Sequence, residues 1–110
     1  MAYDILNDKD NAIYFNTKTL EIDHSHAKAY YMRGISYSEI GDYNKAISDY
    51  NEAIALAPEF MRDVYYRRAE TYQVIGKNAK ALADYNKALE LTYDPENRKI
   101  IEKKIRSLSK

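Results

Sequence analysis

The sequence predicts an all-α protein, a solenoid built from antiparallel helix pairs. Two observations favour this class. One segment of the chain recurs after a 35-residue step, and recurrence at such a period is typical of helical repeat architectures. The chain also holds only three glycines and two prolines, which leaves few turns for β-structure.

The repeat is the strongest signal in the chain. When residues 30–57 are placed on residues 65–92, 13 of the 28 positions are identical. The identical pairs are Tyr30/Tyr65, Tyr31/Tyr66, Arg33/Arg68, Tyr37/Tyr72, Ile40/Ile75, Gly41/Gly76, Lys45/Lys80, Ala46/Ala81, Asp49/Asp84, Tyr50/Tyr85, Asn51/Asn86, Ala53/Ala88 and Leu56/Leu91.

Each copy reads as two helices. In the first copy, Gly41 ends one helix because glycine accepts the left-handed conformation, and Asp42 caps the next. Pro58 ends the second helix; the second copy predicts helices near 62–75 and 78–91 around Gly76. The predicted buried positions are Tyr30, Gly34, Tyr37 and Ile40 on the first helix, and Ala46, Ile47, Tyr50, Ala53, Ile54 and Ala57 on the second.

Small residues mark the predicted helix contacts. Gly34 and Ala69 lie where the first helix of each pair meets the second, and Ala46 and Ala81 lie on the facing side. Small side chains let two backbones approach closely, and neighbouring tyrosines fill the remaining space. A large residue there should overpack the contact at a cost of about 1–3 kcal/mol.

These positions resemble the tetratricopeptide repeat, a helical hairpin of about 34 residues. The signature appears as Tyr30-x2-Arg33-Gly34-x2-Tyr37, Ala46-x3-Tyr50 and Pro58, and again from Tyr65 to Tyr85 with Pro95 arriving late. The departures are Arg33 and Arg68, which occupy the family's leucine position, and one extra linker residue. The resemblance implies a right-handed superhelical solenoid.

The predicted layout is a single domain. It comprises a degenerate half-repeat over residues 1–26, repeats over 27–60 and 61–94, and a capping helix over 95–110. Asp94, Pro95 and Glu96 predict the start of that helix. Its apolar stripe is Ile100, Ile101, Ile105 and Leu108, and its basic side chains are interpreted as a solvated cap, with a contact surface for an acidic partner as the alternative.

Composition and motifs argue against catalysis. The 17 basic and 17 acidic residues balance, and there is no cysteine, so neither nucleic-acid nor membrane binding nor a thiolate metal site is expected. His24 and His26 are interpreted as solvated loop residues, and Asp49 with Glu52 as part of a solvated face. We expect an intracellular, non-enzymatic protein without cofactor; the polar N-terminus is unlike a secretory signal.

The resemblance also implies a function. Members of the family bind extended or helical segments of partner proteins in a concave groove lined by the first helix of each repeat. By position, the implied groove residues are Lys28, Tyr31, Met32, Ile35, Ser38 and Glu39 on one helix, and Asp63, Tyr66, Arg67, Glu70, Gln73 and Val74 on the other.

One specialised binding mode is not expected. Family members that hold a C-terminal carboxylate use a Lys and an Asn one turn apart, then an Asn, then a Lys and an Arg. Tyr31 and Ile35 occupy the first pair here. In the alternative register Met32 and Asp63 replace two of the other residues, so only Arg67 matches.

Two other functions stay open. The half-repeat would expose Ile13, Leu20 and Ile22 at an incomplete end, which two chains could bury by dimerising or by swapping a helix. The chain could also be a regulatory appendage of a larger enzyme, with its basic C-terminal segment as the contact.

Overall fold

A computed structural model describes residues 8–58 and 62–109. Within these ranges the secondary structure is helical, without strands. The helices are α1 (Asp8–Ile22), α2 (Ala27–Glu39), α3 (Tyr43–Leu56), α4 (Arg62–Val74), α5 (Asn78–Glu90) and α6 (Pro95–Leu108). The predicted all-α class and the two helical hairpins, α2–α3 and α4–α5, are therefore confirmed.

Glycine ends the first helix of each hairpin, as predicted. Gly41 has φ of 89° and Gly76 has φ of 82°, a left-handed conformation that costs glycine no Cβ clash. Beyond them, the amide of Asp42 donates to the carbonyl of Tyr37 at 2.8 Å, and the amide of Lys77 donates to the carbonyl of Tyr72 at the same distance. These bonds satisfy helix-end carbonyls that would otherwise have no partner.

Side-chain caps start three of the helices. Asp42 accepts the amide of Lys45 at 3.4 Å, and Asp94 accepts the amide of Asn97 at 3.2 Å before Pro95 in the first turn of α6. Both caps were predicted. His26 was interpreted as a solvated loop residue, but its Nδ1 accepts the amide of Ala29 at 3.1 Å and caps α2. His24 is exposed.

The chain divides into two compact units, Met1–Ala57 and Pro58–Lys110. In the first unit, α2 packs against both α1 and α3. In the second, α5 packs against both α4 and α6. Each unit thus places one helix between two others, which lets that central helix bury two faces.

The core of the first unit depends on small residues around one tyrosine. Ala46, Tyr50 and Ala53 are fully buried. A Cβ atom added to Gly34 would lie 2.6 Å from Cε1 of Tyr50, closer than carbon atoms approach without displacement. The absence of a side chain at Gly34 therefore makes room for the Tyr50 ring, as the repeat pattern predicts.

The core of the second unit repeats this arrangement with one difference. Ala69, Ala81, Tyr85 and Ala88 are fully buried, and Ile101 of α6 completes the cluster. Ala69 takes the position of Gly34, so the second unit accommodates one methyl group there. Half-buried side chains around the cluster are Tyr65, Tyr66, Tyr72, Leu89, Ile105 and Leu108.

A buried ion pair explains the arginine at the family's leucine position. Arg33 donates from Nε and Nη2 to the two carboxylate oxygens of Asp49, each at 2.8 Å. Its guanidinium also lies 5.7 Å from the ring centroid of Tyr30 and 5.8 Å from that of Tyr37. The hydrogen bonds to Asp49 raise the pKa of Arg33. The placement of Asp49 on a solvated face was therefore wrong, although Glu52 is exposed.

The second unit contains the same pair. Arg68 donates to Asp84 at 2.7 and 2.8 Å and lies 5.6 Å from the ring centroid of Tyr65 and 5.7 Å from that of Tyr72. A two-bond arginine–carboxylate contact fixes orientation as well as distance. Each pair therefore fixes the two helices of its hairpin in register.

Several predicted exposures were wrong. Leu20 was expected at an open end but is only 7% exposed, and Ile13 is half-buried; Ile22, at 87%, is exposed as expected. Ile40 was expected to be buried but lies exposed at the C-cap of α2. On α6, Ile101 is buried whereas Ile100 is 52% exposed, so the four apolar residues of that helix do not all face the core.

Candidate functional site

The six residues predicted on α2 form a surface that we call the α2 face: Lys28, Tyr31, Met32, Ile35, Ser38 and Glu39. Its centre is apolar. Met32 is 41% exposed, and Tyr31 and Ile35 are half-buried. The Tyr31 ring lies 6.4 Å from the buried Tyr50 ring between centroids, so the core supports this surface from below.

The six residues predicted on α4 form the corresponding α4 face: Asp63, Tyr66, Arg67, Glu70, Gln73 and Val74. Tyr66 packs edge-on against Tyr85 with centroids 5.6 Å apart. The Tyr85 hydroxyl donates to Oε1 of Gln73 at 3.0 Å. These contacts hold Tyr66 and Gln73 in place, because both touch a fully buried ring.

The two faces differ in charge. Where the α2 face has Ile35, the α4 face has Glu70 at the equivalent position of the repeat. Glu70 lies 3.7 Å from Nη1 of Arg67 and 4.0 Å from Nζ of Lys104 on α6. The α4 face therefore carries a charged cluster at its centre, whereas the centre of the α2 face is apolar.

Burial and the nearby carboxylate of Glu70 raise the pKa of two tyrosines near this cluster, Tyr66 and Tyr85. Desolvation raises the pKa of Tyr66, and the negative charge of Glu70 adds to the increase while Arg67 opposes it. Desolvation raises the pKa of Tyr85 more strongly, with further contributions from Glu70 and Tyr66. Both hydroxyls therefore stay neutral in the folded protein at a pH where an exposed tyrosine ionises.

The raised pKa of Tyr85 predicts that the protein loses stability at alkaline pH. Because the folded pKa of Tyr85 lies above its unfolded value of about 10, its contribution to stability is complete below pH 10 and is lost as pH rises through the folded pKa. Urea unfolding at a series of alkaline pH values should show the free energy of unfolding falling. The Tyr85→Phe variant should fall less steeply; an identical slope in both proteins would contradict the assignment.

Potential metal ligands do not cluster in the described part of the chain. Within residues 8–58 and 62–109, no three His, Cys, Asp or Glu side chains lie close enough together to hold a metal ion. None of the helices in this part of the chain has the length and apolar character that crossing a membrane requires.

Family models decide the classification. Tetratricopeptide repeat models match residues 27–60 and residues 62–95, which together cover more than half of the chain. The chain belongs to the tetratricopeptide repeat family. Comparison with curated proteins finds no significant match.

Several solved structures share the fold. The first such domain of Spaghetti (RPAP3), bound to the HSP90 peptide SRMEEVD, is 28% identical with a TM-score of 0.82, covering 92% of this chain and 77% of that one. The second domain of human RPAP3, in complex with the HSP70 peptide SGPTIEEVD, is 24% identical with a TM-score of 0.80, covering 93% and 82%. The Yersinia enterocolitica translocator chaperone SycD is 18% identical with a TM-score of 0.86, covering 92% and 72%.

The repeat register adds residues of α6 that the sequence analysis did not include. A step of 34 from the second matched repeat places Ile100 at the position of Tyr66, Lys104 at that of Glu70 and Ser107 at that of Gln73. The contact between Lys104 and Glu70 agrees with this register. Extending the family numbering past residue 95 would have found them, but α6 lacks the aromatic signature that made the other copies visible.

Proposed function

We propose that this tetratricopeptide repeat protein is a non-catalytic interaction module that binds peptide segments of partner proteins, with the α2 face of the first unit and the α4 face of the second unit each serving as a contact surface. The observation that carries the proposal is the likeness, at 28% identity, to a tetratricopeptide repeat domain solved with a bound peptide. The chemistry of the two faces supports it, since aromatic, flexible apolar and charged side chains together suit peptide capture.

The packing contacts beneath these surfaces also favour binding. Tyr31 and Tyr66 each rest on a buried tyrosine ring of the following helix. Side chains that are already ordered lose little conformational entropy when a ligand contacts them. Met32, which is unbranched and exposed, can adapt its shape to the apolar groups of different peptides.

The test is selection from a phage-displayed random peptide library on the full chain, followed by titration of the best peptides. We expect the Tyr66→Ala/Arg67→Ala double variant to weaken binding at least about tenfold, a loss near 1.4 kcal/mol. Asn86→Ala/Lys87→Ala on α5 is the control and should bind normally. If the double variant unfolds, Arg67→Ala alone replaces it in the titration, because Arg67 is exposed. Unchanged binding of every selected peptide would refute the assignment of the α4 face as a binding surface.

Self-association remains the second proposal for this chain. Of the three apolar residues on which it depended, Ile22 is exposed, Ile13 is half-buried and Leu20 is buried. Tyr14 and Phe15 of α1 are also exposed and pack edge-on with centroids 5.2 Å apart. Sedimentation over a range of concentrations separates the proposals, because only self-association makes the apparent mass depend on concentration.

A further inference from the structure

Lys104 on α6 lies beside Glu70 of the α4 face and is partly exposed. Its side chain is 40% exposed, and Oε2 of Glu70 lies 4.0 Å from its Nζ. That distance is too long for a hydrogen bond. The ammonium group therefore interacts with the charge of Glu70 but does not donate a hydrogen bond to that carboxylate.

The carboxylate of Glu70 also lies at ion-pair distance from a second cation, but beyond hydrogen-bond length. Arg67 lies 3.7 Å away on the same helix. Two cations thus flank one carboxylate, and none of the three hydrogen-bond donors of the Lys104 ammonium group is bonded to Glu70. A basic ligand side chain would be repelled here, whereas a carboxylate would gain a charge-assisted hydrogen bond.

We propose that Lys104 binds an acidic side chain of the peptide and that Glu70 competes with it for the same ammonium group. This inference rests on the proposed peptide-binding function and names the ligand chemistry at one position. Glu70 then acts as an internal competitor that lowers affinity and demands a well-placed ligand carboxylate. The first unit has Ile35 at the equivalent position, so the competition is confined to the α4 face.

The residues around Lys104 indicate which kind of ligand side chain should lie next to the acidic one. Ile100, one turn before Lys104, is 52% exposed, and Tyr66 is half-buried. By repeat register, these two residues hold equivalent positions on α6 and α4. An apolar ligand side chain would cover Ile100 while the adjacent acidic side chain reaches Lys104, so we expect acidic and apolar residues to be enriched side by side.

The experiment selects peptides from the same displayed library on the wild-type chain and on Glu70→Gln. Displayed peptides fused to a coat protein present no free C-terminus, so only side-chain carboxylates are tested. One enriched peptide is then synthesised and titrated against wild type, Lys104→Gln, Glu70→Gln and Lys87→Gln. Lys87 is the matched control: it is 41% exposed and lies 3.3 Å from Glu90 on the same helix.

We expect acidic residues to be enriched, Lys104→Gln to weaken binding about 5- to 10-fold, Glu70→Gln to strengthen it, and Lys87→Gln to leave it unchanged. Added salt should weaken binding to wild type more than to Lys104→Gln. Enriched peptides that lack acidic residues, or that bind Lys104→Gln as tightly as wild type, would overturn this inference alone. If neither protein enriches any peptide, the proposed function fails and this inference with it.

Discussion

Replacing Tyr85 with alanine should lower the free energy of unfolding by about 3–5 kcal/mol. The ring is fully buried among Ala69, Ala81 and Ala88, and three small neighbours cannot collapse into the space that it leaves. The loss combines the transfer free energy of the side chain with that of the cavity. Urea unfolding monitored by circular dichroism measures it.

The Tyr85→Phe variant separates packing from hydrogen bonding. It keeps the ring and removes only the hydroxyl that donates to Gln73, so a loss of about 1 kcal/mol is expected. If Tyr85→Ala cost no more than Tyr85→Phe, the ring would not be the centre of the second unit's core.

Replacing Asp49 with alanine should cost about 3–5 kcal/mol, because it leaves the guanidinium of Arg33 partly buried without its carboxylate. Arg33 would retain the hydrogen bond from Nη1 to the hydroxyl of Thr17 at 3.2 Å, which does not neutralise the charge. Asp84→Ala tests the equivalent pair in the second unit by the same unfolding measurement.

The double variant Arg33→Leu/Asp49→Ala should recover most of this loss. It places leucine at the position where the family pattern has leucine, and an ion pair replaced by apolar groups often costs little. A double-mutant cycle gives the coupling between the two residues. Additive losses would show that the pair contributes no interaction of its own.

The sequence predicted the fold well where the repeat carried the information. Gly41 and Asp42 are local signals that need no tertiary contact, and the small residues Gly34 and Ala46 stand out because each recurs, unchanged or as another small residue, after 35 positions. The helix ends and the hairpin contacts followed from these residues.

Other features depend on partners that are distant in the sequence. Asp49 resembles any polar residue on a helix until Arg33, 16 residues earlier, is placed opposite it. The recurrence of both residues in the second copy was a signal for the pair. Ile40 follows the helical spacing but falls at the C-cap, where the helix no longer directs it inward. Lys104 was interpreted as part of a solvated cap because the exposed end of a repeat array needs a polar lid.

The most direct test of the central claim is an amide NMR titration of the labelled chain with a selected peptide. The proposed binding surface predicts that the largest shift changes fall on the α2 and α4 faces and on α6 around Lys104, with Tyr31, Ile35, Tyr66 and Glu70 among them. Amides near Glu52 on α3 and Asn86 on α5, which are exposed, should change little. Changes confined to those α3 and α5 positions would contradict the claim that these faces bind the peptide.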